Sequence, residues 1–563
     1  MPHIFIEDFS RLVDSCISFY KKNKLKISSK RVLINRDKLS RFVEVFHKDC
    51  GTLTPSVSDG IKNLKDDAGL ILMTAHQPNF FAYSGVFRKA TLNYVLAKKL
   101  EETLKVPVIS FFGIADQDFA GDRWVRSCQL PAVQRRGGTL TIDFKLPERM
   151  MLNRITKPSP HILSKWKTEI EKWLIETTGS AERLCKTLGI KNFRPVSFLP
   201  NLRENFSFFW NIVENSYECS EKFSDFNAYV LSKIINEIWG YDTLFSRFSE
   251  CQQVFVKDFN FLLSRFDDYS NLLNEAKSVQ HDQCIEGGVS DEEPYLAPFW
   301  YHCNCGSKVK LFLTEKDGFL FGSGKCFGCE KDYELEFGAK NVPDISKIAQ
   351  RISARAIAMA LVFFRGLTPS CYVGGVGGMG YLLEAKLVAE GLGLIFPPIS
   401  VWRPHDNYKG VSQIEAMLEL KQICKNFGAK DAEEAKDILS SRIYEIHEHL
   451  DNLEGAKKGV MEELRHHPDD EALKEKLKAI SIEQTRFLRS SNYTVINHEL
   501  DILENVSTVL DMVPSIIDYA VNVGLKETSA QWVTYLKENG NLTSDVHLET
   551  ILDQTRKYCQ LDV

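Results

Sequence analysis

Two short apolar runs, at residues 70–74 and 106–113, enclose a stretch at 86–104 whose apolar residues recur at helical spacing, and Pro78 breaks the chain between the first run and the helix. Uninterrupted runs of Leu, Ile, Val and Phe of this length read as strands buried on both faces. Strand, turn, helix, strand is a βαβ unit, which implies a parallel sheet with helices packed over it. The same pattern returns at 370–404, SCYVGGVGGMGYLLEAKLVAEGLGLIFPPISVWRP, as strand, glycine loop, helix and strand. The expected fold class is therefore α/β, a Rossmann-like parallel sheet core built from two separated stretches with helical insertions between them.

A chain of 563 residues is too long for a single core. Six segments are expected: an N-terminal helical segment (1–65), the first part of the core with its helical insertion (66–290), a small zinc-ribbon-like insert (291–340), the second part of the core (341–409), a long antiparallel coiled-coil hairpin (410–515) and a C-terminal helical segment (516–563). The hairpin rests on Ile443, Ile446, Leu450, Leu453, Val460 and Leu464, which fall on alternating three- and four-residue steps interrupted by Lys457. HHPDD at 466–470 is a turn signal, with Asp469 placed to cap the next helix. A second long helix is then expected through Leu473, Leu477, Ile480, Phe487, Val495, Leu503, Val506 and Leu510.

The net charge of −5 speaks against a surface that coats nucleic acid. No run of apolar residues reaches the roughly 18–20 needed to span a membrane. The opening MPHIFIEDFSRLVDSC carries acids where a signal peptide carries bases, so a cytoplasmic location is expected. Most of the 14 cysteines, Cys16, Cys128, Cys185 and Cys371 among them, stand singly in hydrophobic stretches, as reduced buried thiols do.

Four cysteines are different. Cys303 and Cys305 form C-x-C, and after twenty residues Cys326 and Cys329 form C-x2-C, with glycines at both knuckles. Two knuckles separated by a hairpin's length suit a closed, structural Zn2+ site with four thiolate ligands. His302 is adjacent and could replace one of them.

Three further motifs lie just past predicted strand ends. TAHQPNFFAYSG (74–85) leads from a strand into a helix, whose first turn offers free backbone N–H groups and the positive end of the dipole. VPVISFFGIADQDF (106–119) places Asp116 and Asp118 after the next strand, where they could orient an amine, serve as a general base, hold hydrated Mg2+ or merely cap a helix. PSCYVGGVGGMGYLLEAKL (369–387) holds Gly374, Gly375 and Gly377, which permit close backbone approach to a ligand. Arg351, Arg355 and Arg403 flank that loop and could bind a carboxylate or phosphate.

In this order, and followed by a coiled coil, these motifs resemble those of the bacillithiol-biosynthesis cysteine-adding enzyme (BshC) family over roughly residues 65–515. Asp116, Asp118, Phe119, Gly374, Gly375, Gly377 and Tyr381 match the family pattern. Ala115 and Gln117 replace its Glu and His, Gly378 stands where it has Glu, and the cysteine insert is an addition. The HQPNFF run also looks like proposed acyl-sugar transferases of the WbqC type.

The resemblance implies a carbon–nitrogen ligase joining cysteine or a similar amino acid to an amine such as an amino-sugar conjugate. It implies catalytic roles for His76, Asn79, Asp116 and Asp118. Substrate or nucleotide contacts fall to Gln77, Gly374, Gly375, Gly377, Tyr381 and Arg403. Further implications are ATP with Mg2+, a phosphate role for His76 and Asn79 like that of the HxGH motif, and a homodimer formed through the coiled coil. Two other readings stand beside it: a nucleotidyltransferase of the same superfamily, and a zinc-ribbon and coiled-coil scaffold that binds RNA or protein.

Overall fold

The structure is a computed structural model and describes residues 4–66, 69–282, 295–403 and 406–553. The expected boundary at 290/291, residues 1–3 of the N-terminal segment and residues 554–563 of the C-terminal segment lie outside the described residues.

The centre is a six-stranded sheet of β1 (Phe5–Ile6), β2 (Leu70–His76), β3 (Val108–Ile114), β4 (Leu244–Arg247), β5 (Cys371–Gly374) and β6 (Ile399–Val401). In space the order is β1-β6-β5-β2-β3-β4, and every pairing is parallel. The two stretches separated in sequence therefore meet edge to edge, with Leu72 opposite Cys371 and Thr74 opposite Val373. Two of the strands are additions to the sequence expectation. Phe5–Ile6 lies in the segment read as helical, and Leu244–Arg247 lies in the helical insertion.

The apolar run of β2 makes sense once its neighbours are seen. Leu70 and Leu72 enter the core on one face, whereas Ile71, Met73 and Ala75 enter the core on the other. Alternate residues of a strand point to opposite faces, so a sheet covered on both sides leaves no polar position. One face is covered by α1 (Ser84–Leu104), through Val86, Phe87 and Ala90. The other is covered by α2 (Ala356–Leu367) and α3 (Met379–Gly391), together with Phe299, Tyr301 and Cys303 of the cysteine module.

Chain direction through the sheet reverses at its middle. From β2 the chain moves outward to β3 and β4, then returns to the far side of β2 as β5 and continues outward to β6. In open parallel sheets the crevice beyond the strand ends at such a reversal is where ligands bind. Here it lies between His76, which ends β2, and Gly374, which ends β5.

The cysteine segment forms two three-stranded sheets, one of which, Phe299–His302 with Lys308–Val309 and Ile352–Ala354, ties it to the body. Beyond it, α4 (Val411–Phe427) is buried on all faces from Val411 to Leu418 and packs on the long helix Pro160–Leu188. It belongs to the body, although the expected boundary at 410 assigns it to the arm. The arm is the helix pair α5 (Ala432–His466) and α6 (Glu471–Ser490), whose contacts include buried Val460 and Ile480 and a Lys457 Nζ to Gln484 Oε1 hydrogen bond of 3.5 Å. Asp470, one residue later than expected, caps α6 by accepting from the Ala472 and Leu473 N–H groups. The expected second long helix is two: the chain breaks at Asn492, which has φ +54°, and α7 (Tyr493–Asp511) runs back onto the body. There Asn505 Nδ2 donates to the Val133 and Arg135 carbonyls. Val495 and Leu510, expected in the seam, are exposed. Among the described residues no helix is long and apolar enough to cross a membrane.

Candidate functional site

A cavity of about 850 Å³ opens at the carboxyl edge of the sheet where the chain direction reverses. His76, Gln77 and Asn79 line it from the turn after β2, Asp118 from the turn after β3, and Gly375, Gly377 and Tyr381 from the loop and helix after β5. Seven residues predicted from three distant motifs thus share one crevice. Tyr83, Lys89, Gln117, Trp124, Trp300 and Arg355 complete much of its wall, and Met512 and Val513 reach it from the end of α7.

Three predicted residues lie elsewhere. Asp116 is fully buried, and its carboxylate accepts from the Ser249 backbone N–H at 2.9 Å and from the Ser249 hydroxyl. It faces a separate cavity of about 580 Å³ that also holds Asp225 and Arg247. Burial pushes its carboxyl up to about 7, against the pull of Ser249 and Arg247. Gly374 is the last residue of β5, and a Cβ there would sit 2.9 Å from Leu382 Cδ1, so its glycine serves packing. Arg403 bridges to Glu7 at 3.3 Å, further along the same edge where β6 meets β1 and outside the cavity lining. Of its neighbours in sequence reasoning, Arg351 donates to the His302 carbonyl and Asn304 Oδ1, while Arg355 lies 4.2 Å over the Trp300 ring at the cavity wall.

His76 is a neutral ring with both of its nitrogens engaged. Its Nδ1 lies 3.0 Å from the Gln77 carbonyl oxygen and its Nε2 lies 3.4 Å from Tyr83 Oη. With Nδ1–H donating to the carbonyl, Nε2 accepts from the tyrosine. Burial, reinforced by the nearby positive Lys89, holds the imidazole down at about 3, so it is neutral at ordinary pH.

Lys89, on the second turn of α1, is, like Arg355, a buried cation of this cavity. Its ammonium donates to the Ala75 carbonyl at 3.1 Å, and a Cβ on Gly375 would come within 3.2 Å of its Nζ. Gly375 has negative φ, so this close approach, rather than backbone strain, is what favours glycine there. Burial alone pushes Lys89 down to about 7. An anion entering the crevice would offset that desolvation and draw a proton onto the amine. Opposite, Asp118 accepts from Gln77 Nε2 at 3.0 Å and lies 3.7 Å from Lys308 Nζ. Asn79 Oδ1 and Gln117 Oε1 are buried acceptors with no hydrogen-bond partner among the described residues. Lys89 and Arg355 thus line the cavity as buried cations, Lys308 stands beside Asp118, and Asn79 and Gln117 offer acceptors. Lys89 escaped the sequence reading because a lone lysine in a helix looks like a solvated one. The surrounding SGVFRKATLNYVLA, with no acidic residue near, was the available signal.

The four cysteines converge as predicted. Their sulfur atoms all lie within 4.8 Å of one another, with Cys303–Cys329 and Cys305–Cys326 each at 3.5 Å. Tetrahedral Zn–S bonds of about 2.3 Å separate sulfurs by roughly 3.8 Å, so the set fits that metal. His302 takes no part: its Nε2 lies 2.9 Å from Ser353 Oγ. All twelve described cysteines are free of disulfides. The sequence matches no family model and no curated protein.

Proposed function

We propose that the chain is a BshC-like carbon–nitrogen ligase with a Rossmann-like core, joining an amino acid to an amine in the crevice between β2 and β5. The observation that carries this reading is the meeting of Lys89 and the Gly375–Gly377 loop with Asp118, Gln77 and Asn79 in one cavity. An amino acid brings a carboxylate and an amine, and the cavity offers buried cations for the first and Asp118 with the acceptors of Asn79 and Gln117 for the second. Amide formation joins the acyl carbon of the donor to the nitrogen of the acceptor. A protonated amine has no lone pair to attack with, and Asp118 is the base that removes its proton. Lys89 and the glycine loop receive the anionic group of the activated donor, supported by the helix dipole of α1. His76 positions Gln77 and Tyr83 around the reacting groups and carries no charge. ATP with Mg2+ is the co-reactant proposed for activating the carboxylate, which otherwise has no leaving group.

In this reading the arm mediates dimerisation. Apolar side chains on it, Tyr444, Met461 and Ile482, are exposed in the single chain and are offered as the contact.

The test is an untargeted metabolite comparison of a strain lacking this chain with its parent. An accumulating amine and a missing amino-acid conjugate are expected, and the conjugate returns with the wild-type chain but not with Asp118→Asn or Lys89→Met. An unchanged metabolite profile would remove the ligase reading. An altered nucleotide pool with no missing conjugate would replace it with nucleotidyl transfer.

A further inference from the structure

We infer that the four-cysteine module is a metal-dependent wall of the cavity, and that Lys308, carried between its two knuckles, is a positioning residue for Asp118. The inference rests on the reading of Asp118 as the base, but its geometry stands on its own.

Lys308 lies three residues after Cys305. The first knuckle turns back through a Cys303 N–H to Ser307 carbonyl bond of 2.9 Å, with Gly306 at φ +90°. The second knuckle then grips the next residues: the Phe327 N–H donates to the Lys308 carbonyl at 3.1 Å, and Val309 forms a β-bridge with Cys326. The backbone of Lys308 is therefore fixed from both halves of the metal-binding set. Its side chain is only 5% exposed and runs between the rings of Phe119 and Trp300, 5.0 and 5.7 Å from its ammonium. It ends 3.7 Å from Asp118 Oδ1, while Gln77 holds the other oxygen. Two fixed partners leave the carboxylate one orientation.

The loop that carries Asp118 is also held from the module. The Met151 N–H donates to the Gly306 carbonyl at 2.9 Å, and the Leu152 N–H donates to the Asp118 carbonyl at 3.0 Å. Arg149 reaches the Phe327 carbonyl at 3.2 Å, and the Phe119 and Phe327 rings meet at 6.1 Å. Trp300, from the same module, faces the cavity directly.

The knuckles, residues 303–307 and 326–330, bury no apolar side chain besides Cys303 and Cys326. In the module's outer sheet, Phe312–Lys316, Phe319–Lys325 and Asp332–Ala339, the buried apolar residues are Leu313, Leu320 and Phe337. The outer sheet shares its core with the body, whereas knuckles without a core are ordinarily fastened by a metal or a disulfide. Four sulfurs within 4.8 Å of one another form a ready ligand set, and a metal bound there ties the two knuckles together. Metal binding, knuckle geometry, Lys308 and Asp118 thus form one mechanical series. The ordinary alternative, a structural zinc site that stabilises only itself, makes a different prediction for the Asp118 loop.

The experiment is hydrogen exchange on the full-length chain, zinc-loaded and after chelation, followed by mass spectrometry. On metal removal, exchange is expected to rise at 299–339 and also at 116–122 and 149–154, while 411–427 is unchanged. A rise confined to 299–339 would overturn the inference. Zinc-loaded Lys308→Met and Lys308→Arg decide the role of the side chain without disturbing the thiolates. Both should retain one zinc per chain. Lys308→Met should loosen 116–122 and cut the conjugate restored to the deletion strain at least tenfold, and Lys308→Arg should recover most of both. A Met variant that matches wild type in exchange and conjugate would also overturn it. Should the deletion strain lack no conjugate, the ligase reading fails and the exchange pattern still decides the coupling.

Discussion

The crevice at the sheet edge and the projecting helix pair spend charge in opposite ways. Around the crevice Lys89 and Lys308 are buried, and burial is the largest influence on the ionisation of each, as it is for His76. Along α5 and α6 the charges are solvated and paired with near neighbours, as in Arg465–Glu462 and Lys474–Glu471. Exposed pairs of this kind contribute about 0–1 kcal/mol, whereas a buried charge without a strong partner costs several. A protein retains the second kind of charge where a ligand uses it. The difference makes the sheet edge the place to test for chemistry and the arm the place to test for assembly.

The largest break in this comparison should come from Asp118→Asn. Conjugate formation is expected to fall by about 10²–10⁴-fold, as for loss of a general base, with folding and zinc content unchanged by circular dichroism and metal analysis. His76→Ala should cost less, because a neutral positioning group is lost.

Lys89→Met sharpens the contrast by opposing function and stability. Binding of pyrophosphate, followed by calorimetry, should be lost. Yet denaturant titration should find the variant about 1–3 kcal/mol more stable at pH 7, because a buried ammonium is gone. The sign with pH follows from the depressed value. Between about 7 and 10.5 the unfolded chain holds a proton that the folded chain sheds, so wild-type stability gains from this residue as pH rises through that window. The advantage of the variant should therefore shrink toward zero near pH 10.5.

On the arm, charged residues at Tyr444, Met461 and Ile482 should convert a dimer of twice 64.3 kDa to a single-chain mass in light scattering, with zinc content intact. A wild-type mass of one chain would end the dimer reading. Smallest of all, Arg465→Ala should change stability by less than about 0.5 kcal/mol.

How much of this was legible depended on length and parity. The seven-residue strands β2 and β3 announce themselves because both faces must be apolar. The two residues of β1 and four of β4 show no periodicity, and their strand character comes from the neighbour they pair with. Asp116 and Asp118 looked equivalent in sequence. Past the strand end the turn sends one to Ser249 and the other to the cavity, which no spacing rule reveals. The cysteines were readable because metal geometry restricts spacing, whereas Lys308 was not, since its partner lies on a loop 190 residues earlier in the chain. Arg403 was placed by proximity to the glycine loop, yet its side chain turns to Glu7, 396 positions away.

The pairing of β2 with β5 also governs when this protein can fold. Thr74 Oγ1 bonds the Val373 carbonyl across 299 positions of sequence. During synthesis β2 and β3 emerge early and can pair through α1, but the other edge of β2 waits until nearly two-thirds of the chain has been made. An apolar strand edge left open for that interval is a template for pairing with another chain. Nascent chains halted before residue 371 should therefore aggregate or require a chaperone, while release past residue 401 should restore solubility. The crevice between β2 and β5 can appear only at that late closure.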